Sequence, residues 1–351
     1  MAKQPLAEPL AVVAGLRTPF VRAGGALDSV DAETLLGGVL SELLERAELA
    51  SGALQLLVLS LEAEDALGLD AREVLRRSVC APDVAVRQYL PGAQDDLQAL
   101  DSLVEALQSG GVGVGALLGA RLHHRGAPER LWWRLWDAIW GLRGSLVRAM
   151  GRAERHFEVQ EALRSYGLAA RAWGEGRFED QVMPVVVPRG NELVVEDELR
   201  KQLREETAKS FGVAGLLLAT SAEVEARALS PLGWMRSMAS ESIAPTDAAL
   251  AEFALEVLEG REPLLVELTH TPGYAEALKR GLLAGGVEWL EVADRLNVTG
   301  DSVAFGDAGC ATFPRQITQL LHELRRRGGG VGLCLFGGER ATTAMALEVS
   351  R

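Results

Sequence analysis

The feature that most constrains the fold is an alternation of short apolar runs and amphipathic stretches along the first 120 residues. Short apolar runs bounded by turn residues predict buried strands, and apolar residues three and four apart predict helices. Strands are predicted at 10–16, 54–61, 83–90 and 112–120, and helices at 32–49, 71–79 and 95–111. Alternating strands and helices predict an α/β fold in which helices cover a sheet.

Residues 121–205 break this alternation with an Arg-rich, helical segment that ends in an extended stretch. The alternation then resumes, with strands predicted at 212–221 and 263–270, a helix at 246–259, another helix within 306–330, and a closing hairpin formed by GGVGLCLFGG and TTAMALEV. This order predicts two α/β halves with an insertion in the first. The predicted boundaries are 1–120 for the first part of the N-terminal half, 121–205 for the inserted helical loop domain, 206–221 for the last strand of the N-terminal half, and 222–351 for the C-terminal half.

The composition limits the partners and the compartment of the protein. A formal net charge of −13 argues against nucleic-acid binding, which needs clustered Lys and Arg. Three scattered cysteines without CxxC spacing predict neither a disulfide scaffold nor a metal site, and they favour a reducing compartment. No apolar run reaches the ~20 residues of a membrane span, and the N-terminus lacks the form of a signal peptide. We therefore expect a cytoplasmic protein.

Six stretches, in order along nearly the whole chain, resemble thiolases: VVAGLRTPFVRAGGAL (12–27), LLERAEL (43–49), ALRSYGLAARAWGEGRFEDQVMPV (162–185), PLGWMRSMA (231–239), NVTGDSVAFG (297–306) and ITQLLHELRRRGGGVGL (317–333). Within that superfamily the chain looks most similar to the thiolase β subunit of the fatty-acid-oxidation complex and of the mitochondrial trifunctional protein. The resemblance implies the thiolase fold, a five-layer αβαβα sandwich of two βαβαβαββ halves with an inserted loop domain. It also implies tight dimers.

The chemistry that the resemblance implies is a reversible Claisen condensation, run as thiolysis in fatty-acid oxidation. A nucleophilic Cys accepts the acyl group, because a thiolate can both attack and leave. A His in a GHP loop activates it, and a second Cys moves the substrate proton, which requires a pKa near the working pH. An N/H-E-A-F motif helps to build an oxyanion hole, whose donors face the developing charge.

All four of these positions are replaced in this chain. The nucleophile position falls on Ala93, and the GHP histidine falls on Asp307. The N/H-E-A-F position falls on Thr269, followed by His270, and the second Cys falls near Phe336. The sequence therefore predicts a degenerate, catalytically inactive thiolase-like protein with no cofactor and with acyl-CoA as its candidate ligand. Such a chain would act as a structural or regulatory subunit, as a homodimer or together with an active thiolase-like subunit.

Two other residues offer an alternative chemistry. Cys310 follows Asp307 by three residues, and His270 lies beside the oxyanion motif. Either residue could serve as nucleophile or base in an acyl-CoA acyltransferase or a thioester hydrolase. The competing interpretation is structural, because an adjacent Asp raises the pKa of a thiol rather than lowering it, and a lone His at a strand end commonly packs. A further histidine, His322, lies on the predicted helix and is expected to pack.

The stretch RLWWRLWDAIWGLRGSLVRAM (130–150) has the spacing of an amphipathic helix with a wide aromatic face. Its tryptophans and arginines suggest a membrane or partner helix, with the candidate residues Arg130, Trp132, Trp133, Arg134, Trp136, Ile139 and Trp140. Three interpretations stay open: packing onto the body of the protein, a protein interface rich in Trp and Arg, and an interfacial helix on an anionic membrane. The last would make the protein a peripheral membrane protein.

Overall fold

The computed structural model describes residues 6–22, 24–62, 68–90, 97–122, 152–188, 192–198, 209–241, 248–269, 294–337 and 342–350. The strands in these ranges are β1 Leu10–Arg17, β2 Leu56–Leu61, β3 Ala85–Tyr89, β4 Val114–Arg121, β5 Val185–Val187, β6 Glu192–Val194, β7 Gly212–Ala219, β8 Gly233–Glu241, β9 Leu265–Leu268, β10 Gly330–Gly337 and β11 Thr342–Val349. The helices are α1 Ala32–Arg46, α2 Ala71–Arg76, α3 Gln98–Gln108, α4 Arg152–Gly174, α5 Ser221–Arg227, α6 Ala248–Leu258, α7 Ser302–Phe305 and α8 Thr312–Arg326.

Nine of these strands form one mixed sheet in the order β3-β2-β4-β7-β1-β8-β11-β10-β9. Strands β2, β3 and β4 are parallel, as are β9 and β10, while β10 and β11 form the antiparallel hairpin that the sequence predicts. Strands β1 and β8 join the group β3-β2-β4-β7-β1 to the group β8-β11-β10-β9. They pair at only three positions, from Leu10–Met235 to Val12–Gly233. Beyond that short seam, strands of the two halves are free to separate and to enclose helices between them.

Helices cover both outer sides of the sheet and also fill its middle. Helix α1 packs on β7 and β1 on one outer side, and α6 packs on β11 and β8 on the other. Helix α8 contacts β1, β4 and β7 as well as β9, β10 and β11, so it lies between the two groups of strands, with α3 in the same buried cluster. Separate apolar clusters fill the outer interfaces. This arrangement confirms the predicted five-layer αβαβα thiolase fold.

The sequence of α8 explains its central position. Twelve of its fifteen residues are buried, which is unusual for a helix carrying so many polar groups. It approaches β1 closely at Gly15, where an added Cβ would lie 2.5 Å from Oγ1 of Thr318. The helix ends at Arg326, and Gly328 follows with a φ of +84°, the left-handed conformation that glycine adopts at low cost.

The inserted segment is joined to the body of the protein by a buried ion pair. Strands β4 and β7, which precede and follow this segment, are antiparallel neighbours in the sheet. Nη1 of Arg17 lies 2.6 Å from Oδ1 of Asp197, and both side chains are fully buried. The Arg17 guanidinium also faces the rings of Phe20, Phe178 and Phe305 at 4.9–5.6 Å from their centroids. The exact domain boundaries stay a prediction.

Candidate functional site

Strand ends from both halves of the protein meet at the N-terminus of helix α8. Arg121 ends β4 and contacts the loop that leads into α8. Thr269 follows β9, and its hydroxyl donates a hydrogen bond of 2.9 Å to Oε1 of Gln316 on α8. Phe336, near the end of β10, meets the ring of Phe313 edge-on at 6.2 Å. Three predicted site positions (Thr269, Asp307 and Phe336) are therefore brought to one helix end.

Two predicted positions and the predicted aromatic helix lie outside the described residues. These are Ala93, His270 and the Trp-rich stretch at 130–150. Strand β3 precedes the segment that contains Ala93 and pairs in parallel with β2. Helix α3 follows that segment.

Asp307 is held by its backbone and by both of its carboxylate oxygens. Its carbonyl oxygen accepts hydrogen bonds from the backbone N–H of Ser210, at 2.9 Å, and from Nη1 of Arg121, at 2.5 Å. Oδ1 accepts from the backbone N–H of Gly309 at 2.9 Å, and Oδ2 lies 3.0 Å from Nη1 of Arg121. Hydrogen-bonded and paired in this way, the carboxylate stabilises the turn before α8.

Arg121 connects this turn to a second carboxylate. Its Nη2 donates a hydrogen bond of 2.9 Å to Oε1 of Glu62, the residue that follows β2. Burial of Arg121 lowers the pKa of its guanidinium, but the charges of Asp307 and Glu62 outweigh that effect, so the pKa is raised overall. Gly309, at a φ of +52°, allows this approach, because a Cβ there would lie 2.3 Å from Oε1 of Glu62. We call Glu62, Arg121 and Asp307 the ion triad.

A second polar group is buried deeper, between α8 and β9. Glu267 on β9 and Arg315 on α8 are 2% and 1% exposed. Burial raises the pKa of Glu267 to about 8, since desolvation outweighs the attraction of Arg315. Burial also lowers the pKa of Arg315 to about 10. Burial thus disfavours the charged form of both Glu267 and Arg315. The pair therefore costs the folded protein desolvation free energy.

Two of the three cysteine thiols are buried, and the imidazole of His322 is half-buried. Cys310 is 1% exposed, and its carbonyl oxygen presses against Gly119, where an added Cβ would lie 1.9 Å away. Cys334 is fully buried opposite Glu267, and burial, reinforced by that carboxylate, raises the pKa of its thiol well above the usual value. Burial lowers the pKa of His322 to about 4, so the expected packing role fits a neutral imidazole.

The sequence reading overlooked the ion triad and the buried polar group. Only Glu267 had a local signal, since it interrupts the apolar run PLLVELTH. No cluster of three metal-ligating side chains forms within the described ranges. In the same part of the chain, no helix has the length and apolarity to cross a membrane.

Curated relatives match almost the whole chain. The 3-ketoacyl-CoA thiolase of Escherichia coli O157:H7 is 28% identical, over 97% of this chain and 96% of its own length. The enzyme of the same name from Cronobacter sakazakii is 29% identical, with the same coverage. No protein-family model matches the chain.

Solved structures agree in fold at lower identity. A thiolase from Ascaris suum in complex with coenzyme A superposes with a TM-score of 0.77, at 19% identity, over 97% of this chain and all of that one. Human mitochondrial 3-ketoacyl-CoA thiolase gives a TM-score of 0.76 at 18% identity, over 99% of this chain and all of that one. The chain therefore has the thiolase fold, and its sequence is similar to those of 3-ketoacyl-CoA thiolases over nearly its whole length.

Proposed function

We propose that this protein is a thiolase-fold subunit without thiolase chemistry. It acts as a structural or regulatory component in acyl-CoA or fatty-acid metabolism and keeps acyl-CoA as a ligand. The acyl-CoA assignment is supported by the end-to-end relation to 3-ketoacyl-CoA thiolases and by the coenzyme A bound to a structural neighbour. The loss of chemistry is supported by the residues of this chain.

The observation that carries the proposal is the environment of Asp307. The resemblance puts the activating histidine at this position, where an unprotonated nitrogen must reach a thiol. Here both carboxylate oxygens are committed, one to Arg121 and one to the N–H of Gly309. Asp307 thus has a structural role.

The two neighbouring positions support the same conclusion. Phe336 is 6% exposed and packs against Phe313, and it has no proton to transfer. Thr269 gives its hydroxyl hydrogen to Gln316. With Ala93 at the nucleophile position, the chain lacks the thiol that thiolysis requires.

The test is thiolysis of acetoacetyl-CoA and of longer 3-ketoacyl-CoAs by the purified protein, followed by loss of the ketoacyl absorbance. We expect no turnover above that of a variant with all three cysteines replaced by serine. Binding of acetyl-CoA, measured by calorimetry in the same preparation, should persist. Turnover that disappears in the cysteine-free variant would refute the proposal.

The relation to thiolases also favours a second candidate, an acyl-CoA acyltransferase or thioester hydrolase that uses Cys310 or His270. Burial of Cys310 argues against it, because a thiol that is 1% exposed cannot meet a thioester without movement of the turn. Mass spectrometry after incubation with acetyl-CoA distinguishes the two. An acyl group on Cys310 that is lost in Cys310→Ser would support the enzyme, and an unmodified chain would support the non-catalytic subunit.

A further inference from the structure

One face of helix α8 is polar although it lies in the centre of the protein. Thr312 precedes Arg315 and Gln316 by three and four positions, and Gln319 follows them by four and three, so the four side chains project from the same side of the helix. All four are buried. The contacts of Gln316 with Thr269, and of Gln319 with Thr299 and Gly300, show that this side faces β9 and the loop before α7. We call these four residues the α8 polar face.

Most of the hydrogen-bond donors on this face lack an acceptor. Nε and Nη2 of Arg315, Nε2 of Gln316 and Oγ1 of Thr312 have no partner among the described residues. These three residues are 1%, 0% and 8% exposed. Buried polar groups are nearly always satisfied, by protein or by a bound molecule, because an unmet donor forfeits its hydration. The unmet donors therefore indicate an occupant rich in acceptors.

Arg315 is a buried cation, and this favours a negative occupant, with Asp301 as the nearby carboxylate that also acts on its charge. Arg17 is neutralised by Asp197, and Glu323 is held by Arg326 and Arg327. The oxygens of Asp301 accept from Ser165, Asn297 and the N–H of Val303. Arg315 makes no ion pair with any described residue.

Glu267 does not supply the missing negative charge. Its raised pKa, caused chiefly by burial, leaves it mainly neutral near pH 7. In that form its carboxyl group is itself a donor. The N-terminal end of a 15-residue helix adds positive potential at the same place.

Thr269 marks the side from which this region is reached. It is half-buried, at the end of β9, whereas Gln316 behind it is fully buried. Because the Thr269 hydroxyl holds Oε1 of Gln316, the amide is fixed with its NH₂ group free. The rings of Phe313 and Phe336 pack edge-on at the same end of α8.

We propose that the α8 polar face binds the carboxylate of a small organic acid, with Arg315 and Gln316 as its principal donors. This inference rests on the proposed function. A site without a nucleophile can bind an acid without transferring an acyl group. The ligand class is a short free acid such as butyrate or acetoacetate. A neutral thioester carbonyl offers a single acceptor and no charge, so it fits the same donors less well.

The experiment is calorimetric titration of the whole chain with butyrate, with acetoacetate and, separately, with acetyl-CoA. We expect both acids to bind, and Gln316→Leu and Thr312→Val each to weaken that binding about tenfold, the loss of roughly one hydrogen bond to a charged group. Thr318→Val is the matched control. Its hydroxyl is equally buried on the same helix but is satisfied by the carbonyl oxygen of Pro314, so binding should not change.

The outcomes separate this inference from the proposed function. Equal binding by wild type and both variants, or no binding of either acid by the folded wild type, would overturn the carboxylate site while leaving the non-catalytic subunit intact. Gln316-dependent binding of acetyl-CoA without binding of the acids would overturn it in the same way. Thiolysis by the wild type would instead refute the proposed function.

Discussion

Nη1 of Arg121 lies 3.0 Å from Oδ2 of Asp307, and the same nitrogen donates to the carbonyl oxygen of that residue. One guanidinium thus joins the end of strand β4 to both the backbone and the side chain of the turn before α8. Its other terminal nitrogen, Nη2, reaches Glu62 after β2. The turn before α8 is thereby fixed to the ends of both β4 and β2.

The ion triad predicts the effect of Asp307→Asn. The amide can still accept from Gly309, but it loses the charge that faces Arg121, whose side chain is only 11% exposed. Because Asp307 itself is 47% exposed, solvent reduces the cost, and we expect a loss of about 1–2 kcal/mol in the free energy of unfolding. Urea denaturation measures it. The control is Arg171→Gln, which removes a more exposed pair with Glu175 and should change stability by less than about 0.5 kcal/mol.

Gly119→Ala tests the close approach of the turn to β4. The new methyl group would lie 1.9 Å from the carbonyl oxygen of Cys310, which is backbone and cannot rotate away. We expect a destabilisation of about 1–3 kcal/mol, as for other overpacked cores, seen as a lower melting temperature. Gly38→Ala is the control: its methyl group would meet nothing closer than Met183 Cε at 3.7 Å, and in helix α1 it should stabilise by up to about 1 kcal/mol. Equal effects would contradict the prediction.

The pKa of Glu267 predicts the pH dependence of stability. Its folded-state pKa of about 8 exceeds the ordinary value of 4.5, so between these values the native state binds a proton that the unfolded state does not. Stability therefore falls as the pH rises, by about 1.4 kcal/mol per pH unit for a single such group. The free energy of unfolding from pH 6.5 to 8 should fall in the wild type and stay flatter in Glu267→Gln.

His322 acts in a different range and does not disturb this test. Its pKa is lowered from 6.5 to about 4, so the unfolded state binds the extra proton and stability rises with pH between these values. Above pH 6.5 the imidazole is neutral in the native state, and its remaining titration in the unfolded state is the same in wild type and in Glu267→Gln. Parallel pH profiles of wild type and Glu267→Gln above pH 6.5 would show that Glu267 is ionised in the native protein.

Much of the fold follows from local patterns in the sequence. The closing hairpin of β10 and β11 and the central helix α8 lie where apolar spacing predicts them. Strand β8 was overlooked because its inward positions include Ser237 and Gly233, which break the apolar alternation. Ser237 is tolerated there because its hydroxyl donates to the carbonyl oxygen of Val257 on α6.

The site was less predictable than the fold. Asp307 was identified from its place in a recognisable stretch, but its partner Arg121 lies 186 residues earlier, and no local pattern connects them. The polar side of α8 was hidden for the same reason. Arg315 and Gln316 would be solvent-facing on an ordinary helix, and only the sheet on either side of α8 makes them buried.

The Trp-rich stretch at 130–150 predicts association with an anionic membrane or a protein partner. The sequence from residue 121 to residue 155 contains eight arginines and only three carboxylates, in a protein of net charge −13. Flotation with liposomes tests the membrane: we expect binding that needs anionic lipid and is lost in the double variant Trp133→Glu, Trp136→Glu. The control is Trp234→Phe on β8, far from this stretch in sequence. Absence of flotation in a folded wild type would exclude membrane docking.

The free edge of the sheet predicts how the chain assembles. Among the strands that the structure describes, β3 lies at one edge of the sheet, pairs with β2 and exposes Ala85 and Gln88. An open edge can pair with an edge of another chain, and a stable dimer would bury roughly 2,000 Å² or more. We therefore expect a dimer by light scattering at submicromolar concentration, formed with itself or with an active thiolase-like subunit.

Ala85→Asp with Gln88→Asp should convert the homodimer to a folded monomer, because like charges would then face each other across the seam. The exposed apolar face of the β5–β6 hairpin offers the control, since Val186→Asp with Leu193→Asp changes side chains that are 59% and 58% exposed and should leave the dimer intact. If the hairpin variant dissociates and the β3 variant does not, the interface is on the hairpin, and a wild-type monomer that captures no thiolase-like chain would contradict assembly altogether.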